Sequence, residues 1–119
     1  MEIKYTKYIK KKTNLSKWPP HRVPKKLEYS YIISIPCFDE YDYIFRTLES
    51  INKQSTILLN DLLVSIVVNN SDVEDQSTVK SNHRTFQKLI DSTFAYDLMV
   101  IDAYSDGKAL PEREAGVGM

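Results

Sequence analysis

The sequence predicts an α/β domain built on a parallel sheet, and three observations predict it. Short, nearly uninterrupted runs of aliphatic residues occur three times, at Tyr31-Ile32-Ile33-Ser34-Ile35, Leu62-Leu63-Val64-Ser65-Ile66-Val67-Val68 and Leu98-Met99-Val100-Ile101. Such runs are the pattern of strands buried on both faces. Amphipathic stretches of helical period separate them, and turn-forming residues follow each one. Buried strands alternating with helices imply right-handed crossovers between parallel neighbours.

Each element has its own justification. The first run is stopped by Pro36, which cannot continue a ladder. Tyr41, Ile44, Phe45, Leu48 and Ile51 then recur at helical spacing, tracing one face of a helix that ends near Gln54. The second run halts at Asn69-Asn70-Ser71-Asp72, a cluster of turn formers. A second helix is expected from about Gln76 to Ser92, with Val79, His83, Phe86, Leu89 and Ile90 turned inward. The third run ends at Asp102, and all three glycines (Gly107, Gly116 and Gly118) lie beyond it. In sheets of this kind ligands bind outside the carboxyl ends of the strands. Three segments are thereby singled out: Pro36 to Glu40, Asn69 to Asp72, and Asp102 to Lys108.

The 119 residues, 42% of them hydrophobic and 27% charged, suit a globular domain. A single cysteine excludes an internal disulfide and favours a reducing compartment. No apolar run approaches the ~18 residues of a membrane span, and the first residues lack the apolar core of a signal peptide. The expected location is therefore cytoplasmic. The formal net charge of zero conceals segregation. Residues 1–28 carry nine basic side chains against Glu2 and Glu28, a net of +7, and residues 29–119 carry seven against fourteen acidic ones, a net of −7. Residues 1–29, with Pro19, Pro20 and Pro24, are expected to form an irregular basic arm able to touch an anionic membrane surface. Residues 30–119 form the domain proper. Its acidity argues against nucleic acid as a partner.

Two other α/β folds fit poorly. A dinucleotide-binding site of the Gly-x-Gly-x-x-Gly type needs glycines after the first strand, where this chain has Pro36, Cys37, Phe38, Asp39 and Glu40. A receiver-like signalling domain would pair Asp39 and Glu40 with Asp102, but the chain shows no later strands bearing the Thr and Lys that such a site uses.

A third comparison fits. Ile33-Ser34-Ile35-Pro36-Cys37-Phe38-Asp39-Glu40, followed by Ile44, Leu48-Glu49-Ser50-Ile51 and Gln54, resembles the opening of family 2 glycosyltransferases of the GT-A type. Ile66-Val67-Val68-Asn69-Asn70-Ser71-Asp72 is similar to the family's second-strand element, and Gly107-Lys108 through Gly116-Val117-Gly118-Met119 to the loop before a later helix. The resemblance covers residues 31–119. It implies a Rossmann-like sheet in a three-layer sandwich, and transfer of a sugar from a UDP- or GDP-sugar donor to a hydroxyl acceptor. It implies a nucleotide site of Pro36 and Phe38 as a wall for the base, Glu40 on the ribose or base, Asn69 on the base edge and Lys108 near the diphosphate.

The family carries Asn where this chain has Asp39, and Asp where it has Asn69. A divalent cation, Mn²⁺ or Mg²⁺, is implied for the whole enzyme, held by an Asp-x-Asp motif that the family places after the region matched here. No ligand for it and no catalytic residue is assigned within residues 1–119. The expectation is thus the donor-binding half of a truncated hexosyltransferase, inactive by itself and acting in the cytoplasm or at the cytoplasmic membrane face. A nucleotide-binding or interaction module without catalysis is the alternative. Cys37, His21 and His83 are expected to be structural, and Asp39 and Glu40 also stand where acids cap a helix.

Overall fold

The computed structural model describes residues 18–111. Residues 1–17 of the basic arm and the Gly116–Gly118 tail lie outside that range. The described residues form a small α/β domain with a four-stranded mixed sheet. In chain order the elements are β1 (Pro20–Arg22), β2 (Tyr31–Cys37), α1 (Tyr41–Asn52), α2 (Thr56–Leu59), β3 (Leu62–Asn69), α3 (Gln76–Asp91) and β4 (Asp97–Ala103). The sheet order is β1-β4-β3-β2.

The three apolar runs are the three parallel strands, although the first is not stopped by Pro36 but continues through it, opposite Val67, to Cys37, as an edge strand allows. Tyr31 to Cys37 of β2 pair with Leu62 to Val68 of β3. Leu63 to Asn69 of β3 pair with Asp97 to Ala103 of β4. The registers run without a slip, so Cys37, Val68 and Asp102 lie side by side and the three strands end together. Both crossovers step in the same direction, and equal handedness places their helices on one face. On that face the core joins Ile44 and Leu48 of α1 and Phe86 and Leu89 of α3 to Val64, Ile66, Val68, Leu98 and Val100 of the sheet. The opposite face holds Leu63, Met99 and Ile101 beneath Tyr29 and Trp18. Among the described residues it carries no helix, so the three-layer arrangement is not what they display.

The sheet departs from expectation at both edges. The purely parallel sheet is corrected by β1, which runs antiparallel to β4, with Pro20 opposite Ile101 and Arg22 opposite Val100. Pro20 fits there because an edge strand can spare an amide donor. β2, expected to be buried on both faces, is the other edge. Tyr31 remains 52% exposed, and Ile32 and Ile33 37% each. Only towards its carboxyl end does the strand sink, reaching Cys37 at 0%.

Residues 18–29 are tied to the domain. The Arg22 guanidinium donates to the carbonyls of Leu89 (2.9 Å) and Ser92 at the end of α3, where a cation satisfies orphan acceptors and complements the helix dipole. The Lys25 N–H (3.0 Å) and the Tyr29 hydroxyl both donate to the Asp97 carboxylate. Lys26 reaches Asp61 at 3.2 Å. Among the described residues no helix is long and apolar enough to cross a membrane.

Candidate functional site

The in-register strands deliver three segments to one edge of the sheet. The first is the turn from β2 into α1. Asp39 is the only described non-glycine residue with a positive φ, 49°. That left-handed conformation suits Asn, Asp and Gly better than other residues. Glu40 occupies the N-cap position of α1, but its side chain makes no capping bond, and only its carbonyl enters the helix, accepting from the Ile44 N–H at 2.9 Å. The capping role open to Glu40 from the sequence is therefore not its role here. Its carboxyl belongs to a half-buried residue at the mouth of the turn. Pro36 and Phe38 flank it, also half-buried.

Beneath this turn Cys37 is sealed. Burial, followed by the neighbouring Glu40 and Asp39 carboxylates, pushes its thiol up to about 12. Nucleophilic chemistry needs the thiolate, so this thiol is inert near neutrality.

The second segment is the end of β3. Asn69 and Asn70 are 0% and 1% exposed, so they form a buried polar step rather than a solvated turn. The Asn69 amide donates to the Cys37 carbonyl (3.3 Å) across the sheet. The Asn70 amide donates to the carbonyls of Ser71 and Tyr104, both at 3.0 Å. From α3, Asn82 (0% exposed) donates to the Asn69 carbonyl (3.1 Å) and to Asn70 Oδ1 (2.9 Å), while its Oδ1 accepts the Asp39 N–H (2.9 Å). Three adjacent amides thus hold the ends of β2, β3 and β4 together. Buried amides of this kind are stable only when their partners are present.

The third segment follows β4. Asp102 is 6% exposed and organises the loop, accepting the N–H groups of Tyr104 (3.0 Å) and Ser105 (2.9 Å) and the Ser105 hydroxyl. Gly107 has φ +81°, a conformation costly for any side-chain-bearing residue. The chain then turns back. Leu110 N–H donates to the Asn70 carbonyl at 2.9 Å, and Asp72 N–H to the Leu110 carbonyl at 2.8 Å. Lys108 sits in this loop, half-buried, its carbonyl accepting the Trp18 indole N–H at 2.7 Å.

Between the second and third segments lies a polar cavity of about 640 Å³. Asn70, Ser71, Asp72, Glu74, Tyr104 and Asp106 are among its walls. Tyr104 is pushed up to about 12, chiefly by burial and then by the Asp102 charge, and its hydroxyl meets His83 Nδ1 at 2.8 Å. The three carboxylates would repel a bare diphosphate but suit the hydroxyls of a sugar. None of Pro36, Phe38, Glu40, Asn69 and Lys108 lines this cavity. Lys108 lies between two of its lining residues in the β4 loop, Pro36, Phe38 and Glu40 lie at the end of β2, and Asn69 is wholly internal.

A second hollow, an apolar groove of about 650 Å³, lies elsewhere, between Tyr31–Ile33 at the start of β2 and Ile51, Gln54 and Leu58. Among the described residues no group of three or more His, Cys, Asp or Glu side chains is arranged to hold a metal ion. The described residues therefore offer no ligand set for the divalent cation that the resemblance implies.

Asn82 escaped the sequence, and Asp102 and Tyr104 were placed by it only as members of a strand-end segment. His83, expected to face inward, is exposed, and Thr78, Asn82, Thr85, Phe86 and Leu89 form the buried face of α3. Their spacing is as helical as that of the apolar set, so polar residues in phase with Phe86 and Leu89 were the signal for Asn82. Asp102 and Tyr104 carry no such periodic mark. Comparison of the chain with known protein families, curated proteins and solved structures finds no match.

Proposed function

We propose that this chain binds the nucleotide of a nucleotide-diphospho-sugar and forms the donor-binding part of a GT-A-type glycosyltransferase. One observation carries the proposal. The segments Pro36–Glu40, Asn69–Asp72 and Asp102–Lys108 lie together where parallel strands of equal register end, and the family resemblance runs in order through the first two and through Gly107-Lys108 of the third. That is the edge at which α/β sheets bind ligands.

In this reading Pro36 and Phe38 offer an apolar wall to a pyrimidine or purine. Glu40, whose carboxyl makes no helix-capping bond, accepts hydrogen bonds from ribose or base. Asn69, 0% exposed and engaged with Cys37 through its amide, does not reach the base edge and instead holds the ends of β2 and β3 together beneath the site. Lys108 adds positive charge beside the diphosphate. The sugar extends into the cavity of Ser71, Asp72, Glu74 and Asp106, where carboxylates accept from hydroxyl groups. The described residues offer the cation no ligand set. Cytoplasmic action, the hydroxyl acceptor and contact of the basic residues 1–28 with an anionic membrane belong to the same proposal.

Isothermal calorimetry with UDP and with GDP, each with and without Mn²⁺, is the test. Weak binding of one nucleotide, little changed by Mn²⁺, is expected. Glu40→Ala should weaken it by about tenfold, the cost of losing a hydrogen bond to a charged group. Absence of heat with both nucleotides would remove the donor site from this chain. Nucleotide binding without release of the nucleoside diphosphate from its sugar, once acceptors are supplied to the whole enzyme, would favour a binding module over a transferase.

A further inference from the structure

We propose that Asn82 is a positioning residue. Its buried amide locks the Asp39–Glu40 turn against the end of β3 and so sets where Phe38 and Glu40 stand. The inference rests on the nucleotide reading above for its functional consequence, and on the hydrogen-bond geometry alone for the lock.

Asn is a poor choice for the buried face of a helix by propensity or by desolvation, and an aliphatic residue would pack there at less cost. What Asn supplies is a donor and an acceptor on one short side chain, and this site demands both. The turn offers a backbone N–H at Asp39, which meets Asn82 Oδ1 at 2.9 Å. The end of β3 offers two oxygens, the Asn69 carbonyl and Asn70 Oδ1, which meet Asn82 Nδ2 at 3.1 and 2.9 Å. The partners leave one consistent orientation of the amide, with oxygen towards Asp39 and nitrogen towards β3.

Two further facts give the lock a reason. Asp39 is held at a φ of 49°, a conformation that needs its surroundings to sustain it, and Asn82 receives its N–H. Asn70, held by Asn82, donates to the Tyr104 carbonyl, so the same amide reaches the β4 loop at one remove. A single helix residue thereby contacts two of the three segments of the proposed site and steadies the third. Asn82 lines no part of the polar cavity and acts through the turn alone.

The experiment compares the parent chain with Asn82→Ala, Asn82→Asp and, as a stability control, Leu89→Val, a fully buried residue of the same helix. Amide hydrogen exchange by NMR is followed at Asp39 and at Ile66 and Val100, and UDP and GDP are titrated by calorimetry. Asn82→Ala should speed exchange at Asp39 relative to Ile66 and Val100 by about tenfold and weaken nucleotide binding by a similar factor. Asn82→Asp retains an acceptor for the Asp39 N–H, so protection there should exceed that of Asn82→Ala while the links to Asn69 and Asn70 are lost. Leu89→Val should lower the melting temperature and leave both the relative exchange of Asp39 and nucleotide affinity at parent values. Unchanged exchange at Asp39 in Asn82→Ala, or equal effects from Leu89→Val, would overturn the proposal. Should Asn82→Ala not fold, Asn82→Leu, which fills the same space without either hydrogen bond, is read by the same exchange ratio at Asp39 and with the same expected and contrary results. A parent chain that binds neither nucleotide would defeat the donor-site reading, and exchange at Asp39 would then still decide whether Asn82 is the lock.

Discussion

β2 and β3 begin with almost the same composition and end in different environments. Tyr31-Ile32-Ile33-Ser34-Ile35 and Leu62-Leu63-Val64-Ser65-Ile66 lie residue against residue, with Ser34 opposite Ser65. Yet Leu63, Val64 and Ile66 are 0% exposed, and Tyr31, Ile32 and Ile33 are 37% or more. The difference lies in sheet position. β3 has β2 on one side and β4 on the other, and among the described residues β2 pairs with β3 alone. An apolar run records that a strand will form, and its neighbours decide how much water it loses. The two strands converge at their carboxyl ends, where Cys37 is as buried as Val68 and the buried amides begin. The candidate site is built at that convergence, away from the apolar groove beside the start of β2.

Substitutions that remove equal volume from the two strands give the largest expected contrast. Ile66→Ala should destabilise the domain by about 2–5 kcal/mol through a lost core contact and a residual cavity. Ile33→Ala, at a partly wetted edge, should cost under about 1 kcal/mol by urea denaturation. Equal losses would mean that β2 is covered in solution. At the end of β2 the positive φ of Asp39 sharpens the contrast further. Asp39→Val should cost about 1–3 kcal/mol, and Asp39→Asn should be close to neutral, because Asn tolerates that backbone. A harmless valine would mean that the turn adopts another conformation.

Smaller effects follow at the caps and the thiol. Asp75 caps α3 by accepting the Thr78 N–H at 2.9 Å, so Asp75→Ala should lower the melting temperature by a few degrees. That bond, together with one from Ser77, holds the Asp75 carboxyl below its ordinary value. A folded-state value below the unfolded one means that the bond stabilises above the unfolded value near 3.8. The stabilisation is then lost as pH falls through the folded value. Asp75→Ala should accordingly flatten the acid limb of the stability curve, and an unchanged limb would show that the cap contributes little. Finally, Cys37 belongs to the exposed strand and yet should behave like a residue of β3. A thiol reagent should leave it unlabelled in native buffer at pH 8 and label it fully in denaturant. Rapid native labelling would show that the end of β2 opens.

Three strands and both long helices are legible in the chain because each has the period of its own secondary structure. β1 is not, since Pro19-Pro20 reads as a break, and a three-residue edge strand needs no apolar pattern. α2 is one turn long, begun by the Ser55 side chain accepting from Leu58 N–H, too short for periodicity to register. The edge status of β2 is a tertiary fact with no local signature. The candidate site is legible in its placement, through Pro36, the Asn69-Asn70 pair and Asp102 at strand ends. Its wiring is less so. Asn82 carries no mark of the core because hydropathy weights apolar residues, whereas the space above the strand ends calls for hydrogen bonds.

The central claim is that the carboxyl ends of β2, β3 and β4 bind a nucleotide. Titration of the isotopically labelled chain with UDP, followed by amide chemical shifts, tests it most directly. Shifts should concentrate at residues 37–40, 69–72 and 104–109, leaving Tyr31–Ile33, Ile51 and Leu58 unmoved. Saturable shifts confined to that apolar groove, or none anywhere with UDP and GDP alike, would contradict the account.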